Sequence, residues 1–89
     1  MTHDYGSLEG KFHALFDLLR GALTGREVKE VRWFFEAGEY GLALETLCGI
    51  IVEEEKQISR PAYQLVRELA EQIQTDRSFW VPLERLIGG

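Results

Sequence analysis

Cysteine occurs once in the 89 residues, as Cys48, so no internal disulfide can form and a reducing compartment is expected. Histidine occurs only at His3 and His13, and neither has a second ligand or base at a useful spacing. They offer no metal site and no general base. No apolar run approaches the roughly 20 residues that span a bilayer. The opening MTHDYGSLEG lacks both a basic start and an apolar stretch, so no signal peptide, no membrane partner and a cytoplasmic location are expected. Proline is limited to Pro61 and Pro82. No alternating apolar and polar run is long enough for a strand, and no repeat, linker or low-complexity segment is present. Basic residues are in the minority, ten against fifteen acids, which argues against nucleic acid as a partner.

What is present fits one small helical domain. With 45% apolar and 28% charged residues the chain can fold around a core, yet it is too short for two. The expected fold class is all-α, a single bundle of four to five helices over 1–89, with 1–6 a frayed tail. The net charge of −5 is unevenly placed. Acids and bases cancel over residues 1–35 and again over 57–89. Between Glu36 and Lys56, six acids (Glu36, Glu39, Glu45, Glu53, Glu54, Glu55) face one base. A negative field held in one element favours a basic partner.

Ser7 caps a first helix whose residues Leu8, Phe12, Leu15, Phe16, Leu19, Ala22 and Leu23 share one side. Thr24 and Glu27 have the spacing of a capping box and open a second helix that ends near Gly38, with Val28, Val31 and Phe35 inward. A third helix is expected from about Glu39 to Lys56, burying Tyr40, Ala43, Leu44, Leu47, Cys48, Ile50 and Ile51. Ser59 caps a fourth, with Pro61 in its first turn and Tyr63, Leu65, Val66, Leu69, Ala70 and Ile73 inward. Ser78 caps a short last helix, with Pro82 in its first turn and Phe79, Leu83, Leu86 and Ile87 inward; Trp80 serves as a cover.

None of these residues forms a catalytic constellation, and no cofactor is expected. Cys48, on the inward side of the third helix, packs as a small hydrophobe. Glu53, Glu54 and Glu55 diverge by about 100° per helical residue and cannot converge on one ion. They do oppose the helix dipole, a local inconsistency of the kind that marks functional surfaces. Leu42 and Val52 fall on the outward side of the third helix among Glu45, Gly49, Glu53 and Lys56. Gly41 and Gly49 leave that side smooth. Trp33 lies about 140° or more from Val28 and Phe35 on the second helix, placed as an exposed anchor. The candidate partner-binding set is therefore Trp33, Leu42, Glu45, Val52 and Glu53.

The stretch from Glu36 to Ser59, EAGEYGLALETLCGIIVEEEKQIS, resembles the central motif of the MafI-type immunity proteins and related immunity proteins of bacterial polymorphic toxin and contact-dependent inhibition systems. The order that carries the likeness is Gly38 through Glu45, then Leu47 and Cys48, an acidic stretch, and Ile58 with Ser59. Gln57 departs from the proline expected before that pair. The resemblance implies a cytoplasmic protein, not an enzyme, that neutralises a cognate toxin domain, commonly a nuclease. It also implies mainly structural roles for Tyr40, Ala43, Leu44 and Leu47, with the toxin-binding surface free to vary among members. A nuclease presents Lys and Arg to phosphates, so an acidic inhibitor face complements it. The competing class is a homo-oligomeric helical adaptor that binds a basic protein unrelated to toxins, with the smooth face as a two-fold self-contact.

Overall fold

The computed structural model describes residues 7–88, and its first helix opens at Ser7. The expected tail at 1–6, with His3, lies outside the described residues. The Ser7 side chain accepts the Gly10 N–H at 3.0 Å and opens α1, Leu8–Leu18. The helix stops short of the expected Leu23, because Gly21 takes φ 99°, a left-handed conformation suited to glycine. The turn still delivers Leu19 and Leu23 to the core. In α2, Gly25–Glu36, both arms of the capping box are made: Thr24 accepts the Glu27 N–H at 3.1 Å, and Glu27 accepts the Thr24 N–H at 2.9 Å. Gly38, at φ 80°, ends it, with the Glu39 N–H donating to the Phe34 carbonyl at 2.9 Å.

The third helix, α3, covers Tyr40–Glu53 and does not reach Lys56 as expected. Glu55 enters the left-handed region at φ 50°, and the Lys56 N–H closes back on the Ile51 carbonyl at 2.9 Å. This is the same terminating loop that Gly38 makes, built without glycine. Its cause is tertiary. Ile58 is buried and exchanges backbone hydrogen bonds with the C-terminal segment, its N–H donating to Leu86 at 3.0 Å and its carbonyl accepting from Gly88 at 2.9 Å. Burying an isoleucine is worth about 1.5–3 kcal/mol, against about 1–2 kcal/mol for a non-glycine left-handed residue.

The fourth helix, α4, runs Arg60–Ile73 from a Ser59 cap with Pro61 in the first turn. It closes through Gln74 at φ 60°. The last segment differs from expectation. Asp76, not Ser78, is the cap, accepting the Ser78 N–H at 2.8 Å; α5 is only Arg77–Trp80, and a 3-10 helix continues over Val81–Leu86. A three-residue period aligns Trp80, Leu83 and Leu86, all buried, whereas Phe79 stays 38% exposed instead of facing in. Trp80 is the cover that the sequence suggested.

Together these elements form an all-α bundle, with no strand among the described residues. Helix α3 packs against α2, α4, α5 and the 3-10 helix, while α1 lies along α4. Phe12, Phe16, Phe35 and Tyr40 make an aromatic cluster joining α1, α2 and α3, with Phe12 and Phe35 centroids 5.0 Å apart. Tyr40 also donates its hydroxyl to Glu9 at 2.6 Å, and Tyr63 donates to Glu84 at 2.6 Å, tying α4 to the 3-10 helix. Leu8, Ala22, Val28, Tyr40, Ile50, Leu65, Ile73 and Ile87, expected inside, are partly covered residues packed against the core. No helix among the described residues is long and apolar enough to cross a membrane.

Candidate partner-binding surface

Of its fourteen residues, α3 has only Tyr40, Glu45, Thr46 and Glu53 with polar groups on their side chains, and only the two glutamates are charged. A helix apolar on most sides is normally enclosed. Here the inward side carries Ala43, Leu44, Leu47, Cys48 and Ile51, all fully covered. The opposite side is open. Leu42 is 46% exposed, Glu45 and Gly49 are half-covered, and Glu53 is exposed. A methyl group added at Gly41 or Gly49 would meet no atom within 4 Å. Each glycine therefore weakens the helix by about 0.5–1 kcal/mol relative to alanine with no packing reason inside the chain.

The structure brings Leu42, Glu45 and Glu53 together on this outer side. Val52, expected beside them, is instead a flank residue, partly buried and packed against the core. Lys56 also leaves the position expected for it. Beyond the turn at Glu55 its amine reaches α2 and pairs with Glu27 at 3.0 Å, both side chains only 18% exposed. Glu27 thus accepts from the Thr24 amide and from Lys56, and these bonds hold its carboxyl below the usual range. The one base of the acidic segment is consumed there, so Glu53, Glu54 and Glu55 keep their charge uncompensated by it. Glu36 is turned toward Arg32 at 4.0 Å. The acidic surplus is strung along α3 and both its ends, with Glu45 and Glu53 on the outer face itself.

Trp33 stands apart from the core on α2, 76% exposed, the most solvent-facing large apolar side chain among the described residues. It forms a shallow apolar trough of about 460 Å³ with Arg26, Lys29, Glu30 and Phe34. Neither Arg26 nor Lys29 has an ion-pair partner among the described residues. Sequence reasoning placed Trp33 but passed over Arg26, although the spacing 26, 29, 33 is the helical one that puts all three on a single face.

Other groups have structural explanations. Cys48 is fully covered, and burial, with Glu45 nearby, pushes its thiol up to about 12, which keeps it protonated and unreactive. His13 is exposed, edge-on to Phe35 with centroids 5.3 Å apart. Among the described residues no cluster of three or more His, Cys, Asp or Glu could hold a metal ion. A cleft of about 530 Å³ between α4 and α5 has Trp80 on its wall, approached by Arg67 at 5.9 Å and Arg77 at 5.7 Å. Glu71, Asp76 and Glu84 line the same cleft, so its charge is mixed and favours no one ligand sign. Comparison with protein-family models, with curated proteins and with solved structures gave no match.

Proposed function

We propose that this chain is a binding protein of the immunity type, whose outer α3 face docks a basic toxin domain, a nuclease being the best fit, and blocks its access to nucleic acid. The observation that carries the reading is the open side of an otherwise apolar helix: exposed Leu42, bare Gly41 and Gly49, and Glu45 and Glu53 beside them. Glycine admits a partner's backbone closely, leucine supplies apolar area, and the carboxylates match Lys and Arg that would otherwise hold phosphates. The toxin assignment within that reading is supported by the likeness of residues 36–59 to the immunity motif.

The test is co-expression of the chain with the toxin-type domain encoded beside it, followed by association kinetics. Glu45→Lys combined with Glu53→Lys should leave helical content unchanged and slow association about tenfold or more at low salt, with a smaller effect at high salt. The charge reversal should also abolish protection of growing cells. Equal association rates for both proteins in low salt would remove the α3 face from the mechanism.

A further inference from the structure

Two adjacent helices of this molecule carry opposite outer faces. On α2 the face is basic and projecting: Arg26 and Lys29 without ion-pair partners among the described residues, and Trp33 almost free of the core. On α3 it is acidic and recessed: Glu45 and Glu53, with the backbone bare at Gly41 and Gly49. The two helices run antiparallel, joined by the tight turn at Gly38. The Glu27 to Lys56 pair fixes the start of α2 beside the end of α3.

We propose that two copies of this chain pair through these faces about a two-fold axis parallel to both helices. Such an axis lays α2 of each copy along α3 of the other with the levels kept. Arg26 and Lys29 of one copy then lie toward Glu53 and Glu45 of the other, and Trp33 lies toward Leu42 and the bare Gly41 turn. The contact is reciprocal, so one charge pattern is used twice, as a closed two-fold interface requires. A tryptophan opposite a glycine-lined helix is a projection facing a recess. Glu30 is the one acid within the α2 face, and it weakens the complementarity without reversing it.

The paired area is two helices wide and about 20 Å long, at the small end of specific interfaces. Pairing is therefore a weak equilibrium, on the order of tens of micromolar. It covers the face assigned above to the toxin, so above that concentration free protein is self-masked and a tighter partner displaces the second copy. The self-contact stands on charge and shape alone and needs no particular toxin.

Sedimentation equilibrium of the isolated full chain in low salt tests it, with circular dichroism as the check on folding. The wild type should shift from monomer to dimer up to on the order of 0.5 mM. The variant R26E/K29E has two acidic faces and the variant E45K/E53K two basic ones, so each alone should remain monomeric. Mixed together they should form a heterodimer, because both reciprocal contacts become complementary again. A wild-type chain that stays monomeric throughout, or a dimer indifferent to both reversals, overturns the proposal. Either result would leave the α3 docking experiment unaffected.

Discussion

At the scale of single residues, two helix ends do with ordinary side chains what glycine does at Gly38. Glu55 and Gln74 both sit in the left-handed region, at φ 50° and 60°. A Cβ there costs about 1–2 kcal/mol, while glycine loses part of that advantage through its freer unfolded state. Glu55→Gly and Gln74→Gly should each raise stability by about 0.5–1 kcal/mol, read as a higher urea midpoint with an unchanged slope. A lower midpoint for both would show that the side chains contribute contacts worth more than the strain. The ends also explain a gap in what sequence can reveal. Gly38 announces its turn, whereas nothing local distinguishes Glu55 from the two glutamates before it. The turn is imposed from outside, by Ile58 reaching the core.

At the scale of elements, the starts of helices were legible and their phases less so. Ser7, Thr24 with Glu27, and Ser59 with Pro61 are caps that act within three residues, and each was readable because its partner is local. In the final segment the cap lies two residues before the expected Ser78, and Leu83 and Leu86 face in as expected, but the three-residue period of the 3-10 helix aligns Trp80 with them where a period of 3.6 selects Phe79. The candidate face was legible for Leu42, Glu45 and Glu53, which lie opposite the core. It failed for Val52 and Lys56, whose positions depend on neighbouring elements.

The same helix carries a testable conflict between stability and binding. With nothing within 4 Å of a methyl at either site, Gly41→Ala and Gly49→Ala should each stabilise α3 by about 0.5–1 kcal/mol. In a domain this small each should raise the midpoint of thermal unfolding by several degrees. Both should weaken association through the outer face, where the added methyl fills the recess. A destabilised alanine variant would show that the glycines serve the fold, and their use as evidence of a contact surface would end.

At the scale of the whole molecule, fifteen acids set against ten bases make stability a function of pH. From pH 7 downward the net charge of −5 shrinks as carboxylates begin to protonate, and self-repulsion falls with it. Opposing this are the carboxylates that the fold prefers ionised. Glu27, held below its ordinary 4.5 first by the Thr24 amide and then by Lys56, and Asp76, held below 3.8 by Ser78, are both depressed. A depressed group contributes stability that is whole above its unfolded value and lost as pH falls through its folded one. Stability should therefore be flat or slightly rising from pH 7 to about 5, then fall below about 4.5. The alkaline side has the opposite sign. Tyr63 is raised from 10 to about 12 by burial and by its bond to Glu84, so the stability from its neutral phenol is whole below 10 and lost between 10 and about 12. Urea midpoints measured across pH test the acid limb directly. Glu27→Gln keeps an acceptor for the Thr24 amide but removes the charge, and it should flatten the decline below pH 4.5 while lowering the midpoint at pH 7. An unaltered slope in that variant would place the acid sensitivity in other carboxylates and reduce the Lys56 contact to a geometric tie between α2 and the end of α3.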